Sequence, residues 1–204
     1  MQADDLSDIE RDALGELVNI TVSGAASRLR AMVGSEVSLT VPIVEVVGGT
    51  AAASSIADLG LQELVAVRQA FEGRLNGQTM LVFNDADADT LMRAVLGDGF
   101  SEEEYAELRV DTLGEIGNVL LLGLLATIGS MLGLTFDVKI PTVESAQVGH
   151  VFPPGEERVI MLIHVNFSVR QIEARGYFAL VMGLGSFQSL RDIVGAFLAK
   201  VMAE

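Results

Sequence analysis

Residues 111–141 read DTLGEIGNVLLLGLLATIGSMLGLTFDVKIP, and residues 12–42 read DALGELVNITVSGAASRLRAMVGSEVSLTVP. Laid over one another, Asp12, Glu16, Asn19 and Pro42 fall on Asp111, Glu115, Asn118 and Pro141 without a gap. Across 12–45 and 111–144, eleven of 34 positions are identical, Gly24/Gly123, Met32/Met131, Gly34/Gly133 and Glu45/Glu144 among them. The same spacing of 99 pairs Gly77 with Gly176, Leu81 with Leu180 and Leu91 with Leu190. A spacing kept over such a distance points to an internal duplication, and two copies are too few for a solenoid. We therefore expect one domain over 1–204, built of two like units at about 7–99 and 106–204 and related by a pseudo-two-fold axis.

Within a unit the pattern predicts helix, strand, strand, strand, helix. Ser7 followed by Glu10 has the form of a capping box, and Leu14, Val18, Val22, Ala25 and Leu29 recur at helical spacing as a buried stripe. Gly34 and Gly133 are plausible helix stops. Val37–Val44 alternates as a strand does, and Pro42 lies near its end, where a missing N–H does least harm. Residues 46–60 are small and loop-like, and Asn76-Gly77 is a strong hairpin signal that Arg175-Gly176 replaces in the second copy. Asp85–Leu96 and Ser186–Met202 read as closing helices. The expected class is α+β: two αβββα repeats forming a twisted, mainly antiparallel sheet with helices packed against it.

Half of the residues are hydrophobic, so the net charge of −15 belongs to a chain with a core, not to an acidic disordered tail. That charge argues against nucleic acid and against an anionic membrane surface, and it favours protein partners. Cysteine is absent from the sequence, so thiolate chemistry and cysteine-based zinc sites are excluded. The acidic opening MQADDLSDIE lacks the basic-then-apolar order of a signal peptide, which makes the cytoplasm the expected location. Residues 116–136 carry no charge and are long enough to cross a bilayer. Their counterpart, 17–37, holds Arg28, Arg30 and Glu36, so a buried core helix is the expected reading and a membrane span the competing one.

On a helix, offsets of four and seven bring Asp111, Glu115 and Asn118 onto one face, as they do Asp12, Glu16 and Asn19. The plain explanation is that acidic residues early in a helix oppose its dipole and that the asparagine is merely solvated. Against it, Asn118 interrupts an otherwise apolar run, and the triplet recurs although most residues around it differ. Asparagine cannot serve as a general base, but its amide donates and accepts at once and so can hold one water at a chosen angle. Such positioning suffices only where the bond to be broken is already labile. The glutamates suit electrostatic contact with a partner's lysine or arginine. His150 and His164 lie apart and off any ligand spacing.

The pattern Asp-x3-Glu-x2-Asn-x22-Pro, present twice, resembles the signature of the CheC/CheX/FliY phosphatases. All eight signature positions match, and the two-motif organisation without an added domain is similar to the CheC branch of that family. The resemblance implies hydrolysis of the aspartyl phosphate on the chemotaxis response regulator CheY, at two sites. It implies that Asn19 and Asn118 orient the attacking water and that Glu16 and Glu115 pair with the regulator's lysine. Asp12 and Asp111 either support the helix or touch the partner, and Pro42 and Pro141 shape the strand end. The resemblance also implies that the protein needs no cofactor of its own, because the regulator would bring Mg2+. The alternative within the same resemblance is an adaptor that binds the receptor deamidase CheD and phosphorylated CheY with little catalysis.

Overall fold

The computed structural model describes residues 8–41, 43–153, 155 and 158–201. The expected capping residue Ser7 and the motif residue Pro42 lie outside the described residues. The chain runs α1 (Asp8–Val33), β1 (Val37–Thr40), β2 (Val44–Gly48), α2 (Gly49–Ala57), β3 (Glu63–Gly73), β4 (Gly77–Phe83) and α3 (Asp85–Leu96). It then repeats that order as α4 (Glu102–Leu132), β5 (Phe136–Val138), β6 (Thr142–Gln147), α5 (Val148–Val151), β7 (Arg158–Val169), β8 (Ile172–Gly183) and α6 (Leu184–Val201).

All eight strands form one sheet in the order β1-β7-β8-β4-β3-β5, with β2 continuing the edge beside β7 and β6 the edge beside β3. Every pairing is antiparallel. The order reads the same from either end, and the halves exchange their edges. β1 and β2 lie on β7 of the second half, while β5 and β6 lie on β3 of the first. The α+β class and the antiparallel sheet agree with the expectation from sequence.

Four details differ from it. The strand expected over Val37–Val44 is replaced by β1, which ends at Thr40, and β2, which begins at Val44, so among the described residues each half carries four strands, not three. The stretch 46–60 is not a loop: it completes β2 and then forms α2, whose Ala52 and Ile56 are fully buried. Small residues here serve close packing, which their polarity and size alone do not reveal. The second hairpin turns at Arg170-Gln171, both at positive φ, and Arg175-Gly176 lies within β8. Gly176 is glycine because a Cβ there would strike the Phe83 ring. Finally, the spacing of 99 holds for the starts of α2 and α5 and of α3 and α6 but not on the long hairpins. Glu45 faces Leu162 and Glu144 faces Ala66, which relates β7 to β3 by 96.

The sheet separates two apolar layers. On one face Val65, Val67, Phe71, Met161, Ile163, Val165 and Phe167 meet the long helices α1, α3, α4 and α6. On the other, Leu64, Ala66, Ile160 and Leu162 meet Ala52 and Ile56 of α2, Val151 of α5 and Phe152 just beyond it. This alternation is the period-two pattern of a strand covered on both sides. α4 begins four residues ahead of the expected second boundary, with a complete capping box from Ser101 and Glu104, and stops at Gly133 in the left-handed region. It is long and apolar enough to cross a membrane, yet half of its most apolar window is buried inside the molecule. Ile116, Leu120, Leu121, Leu124 and Leu125 all belong to the main core, so α4 is a core helix.

Candidate functional site

α1 and α4 pack against each other through their glycines. Gly24 faces Thr127, and Gly123 faces Ala25 and the stem of Arg28, contacts that a Cβ on either glycine would crowd. Because residue numbers rise on one helix as they fall on the other, the pair is antiparallel. Asn19 and Asn118 therefore lie at opposite ends of it, about 20 Å apart along the axes at 1.5 Å per residue. The two triplets make two separate places, not one composite site.

In the first, Asp12, Glu16 and Asn19 are all exposed. In the second, Asp111 and Glu115 are exposed while Asn118 is half-buried. Asp111 and Glu115 sit in the interior of α4, whose first turn is already filled by Glu102, Glu103 and Glu104. The dipole explanation for the second acidic pair therefore fails, because that effect fades beyond the first turn. Both glutamates lack a hydrogen bond or ion pair among the described residues, and each projects an unspent carboxylate beside its asparagine.

Asn118 is held. Gln69, in β3 and only 2 % exposed, lies with its Nε2 3.0 Å from Asn118 Oδ1 and 3.1 Å from the Lys139 carbonyl oxygen. Lys139 opens the three-residue break between β5 and β6 that ends at Pro141. Its own N–H donates to the Ala70 carbonyl at 2.9 Å, which closes the break onto β3. The Lys139 ammonium is held above its ordinary pKa by the hydrogen bond to Asp137, then by the charges of Asp137 and Glu72. Pro141 thus interrupts the edge strand where the backbone turns a carbonyl toward Gln69. Ile140, between them, is 89 % exposed.

The sequence reading missed Gln69. A signal existed: Val65, Val67 and Phe71 face the long helices, and Gln69 is the polar residue in that row. Because β3 is apolar on both faces, no strict alternation made the exception visible. His164 contacts Glu45 at 2.9 Å, and His150 is exposed in α5. Among the described residues no cluster of three or more His, Asp or Glu side chains is arranged to hold a metal.

Fold and paired helix triplets together are similar to those of CheC-like proteins. The family model described as the CheC-like family matches residues 9–46, which include the whole first triplet. The flagellar motor switch phosphatase FliY of Bacillus subtilis is 25% identical over 208 residues, covering 100% of this chain and 53% of FliY. This chain thus spans about half the length of that relative. CheC1 of Halobacterium salinarum, whose name proposes CheY-P phosphatase activity, is 23% identical over 83% of this chain and 90% of its own. The solved structure of Thermotoga maritima FliY superposes with a TM-score of 0.72 at 22% identity, over 95% of this chain and 99% of that one. FliM from the Helicobacter pylori FliM–SpeE complex shares the fold at a TM-score of 0.65 and 16% identity, over 94% and 97%. The family-model match over the first triplet and the shared fold agree with the resemblance to the CheC/CheX/FliY family stated from the sequence.

Proposed function

We propose that this chain accelerates hydrolysis of the aspartyl phosphate on a CheY-type response regulator. The observation that carries the reading is the placement of each glutamate on an accessible helix face one turn from its asparagine. An acyl phosphate is already activated, so the helper protein has little to supply beyond a positioned water. Asn118 and Asn19 orient that water; Glu115 and Glu16 pair with the regulator's lysine and set the docking register. Mg2+ comes with the regulator, where it offsets charge on the phosphoryl oxygens. The proposed setting is the cytoplasm. FliM shares the fold, so the triplets, not the architecture, carry this assignment.

The test is dephosphorylation of the phosphorylated regulator by Asn19→Ala plus Asn118→Ala. We expect the rate to fall to that of the regulator alone while the variant keeps its thermal unfolding. Full activity in the folded double variant would end the proposal.

A second reading is an adaptor that recognises phosphorylated CheY and pairs with a CheD-type deamidase. Its support is that the Asn19 amide has no hydrogen-bonding partner among the described residues, which suits recognition better than catalysis. Turnover separates the two: an enzyme clears many equivalents of regulator, an adaptor protects only its own.

A further inference from the structure

The two asparagines are matched in sequence but not in their surroundings. On the pairing that sets Arg68 opposite Thr142 and Phe71 opposite Val138, Gln69 lies two residues before the Phe71 position. In the other half Phe167 faces Leu39, and the residue two before it is Val165, buried and without a donor. The helices differ to match. Gly117 lets α4 settle onto β3 against Val67, where a Cβ would overlap the valine side chain. Its counterpart is Val18, and beside it an apolar cavity of about 20 Å3 remains among Val18, Thr21, Ile163 and Leu180. α4 thus approaches the sheet closely enough for Asn118 to reach Gln69.

The direction of each amide follows from elementary donor and acceptor rules. A backbone carbonyl only accepts, so the Gln69 atom facing Lys139 oxygen is the amide nitrogen. That nitrogen also faces Asn118, so the Asn118 atom meeting it is Oδ1. Asn118 Nδ2 is left pointing away, and Oδ1 keeps one lone pair for a further donor. Gln69 Oε1 is buried without a partner among the described residues, a destabilising arrangement that packing alone does not require.

We propose that Gln69 is a positioning residue, fixing both the place and the direction of the Asn118 amide, and that Asn19 has no such device among the described residues. Resting on the phosphatase reading, this makes the second-half site the preorganised one. A water held by a fixed amide forgoes the ordering cost that a rotating Asn19 must meet in every cycle. The two halves would then differ in turnover although their signatures are identical.

The first measurement needs no variant. Side-chain amide relaxation by 15N NMR on the full chain should find the Asn118 NH2 ordered and the Asn19 NH2 averaged. An Asn118 amide as mobile as that of Asn19 would overturn the inference whatever the protein's activity. The second uses Gln69→Met, which keeps the side-chain length and removes the donor. Combined with Asn19→Ala, it should mobilise the Asn118 amide and lower kcat about ten-fold, with KM within about two-fold. An unchanged kcat, or a loss confined to KM, would overturn the role. If unmodified protein fails to accelerate dephosphorylation, the phosphatase reading falls, and the NMR comparison still decides whether Gln69 fixes Asn118.

Discussion

Arg68 Nε lies 2.6 Å from Glu144 Oε1, joining β3 of one half to β6 of the other. His164 and Glu45 meet at 2.9 Å in the corresponding place at the opposite edge. The Arg68 pair does more, since its guanidinium also reaches the Val151 carbonyl at 3.3 Å, beneath α5. We therefore expect Arg68→Met to cost more than Glu144→Gln, because it also strips a donor from a buried carbonyl. In a double-mutant cycle followed by urea unfolding, the coupling should be about 1 kcal/mol, as both groups keep some contact with water.

Gly117→Ala drives a Cβ into Val67. Overpacking of this kind should destabilise by about 1–3 kcal/mol, and Val67→Ala in the same chain should restore part of the loss. Thermal unfolding of the three variants checks this. Simple helix propensity would make Gly117→Ala stabilising, so the sign itself discriminates.

Glu115→Lys reverses an exposed charge that has no partner among the described residues. Stability should change by no more than about 0.5 kcal/mol. On the proposed phosphatase activity, KM for the phosphorylated regulator in the Asn19→Ala background should rise steeply and kcat far less, and the effect should shrink as salt screens the surface. A fall in kcat at unchanged KM would move Glu115 from docking to chemistry.

The Glu104 carboxyl is held below its ordinary pKa first by the Ser101 backbone N–H and then by the Ser101 side chain. A depressed folded pKa contributes stability that is present above the unfolded carboxylate value and is lost as pH falls through the folded one. Glu104→Gln should therefore lower Tm at neutral pH, and the gap to the unmodified chain should narrow in acid. Parallel thermal scans from pH 7 down to pH 3 test the sign.

Much of this was legible because the duplication writes its pattern twice. Asp12, Glu16 and Asn19 share an exposed face, as the offsets four and seven require, and α3 spans Asp85–Leu96 as expected. What escaped depends on contacts between distant strands. Gly176 resembles a turn glycine in sequence, but its neighbour in space is Phe83. Arg170 and Gln171 carry no turn signature, yet the pairing of β7 with β8 places both at positive φ. The exchange of edges between halves is invisible to local periodicity. Gln69 needed the register of three strands before it could be set beside Asn118.

That exchange of edges has a consequence for how the molecule can be divided. Between Asp98 and Gly99 the backbone could be cut without removing a single strand or helix. Neither fragment would then keep its own outer strands in place, since each lends them to the other's central hairpin. Co-expressed, the two pieces should reconstitute as a pseudo-symmetric heterodimer; apart, each should remain unfolded or associate with copies of itself.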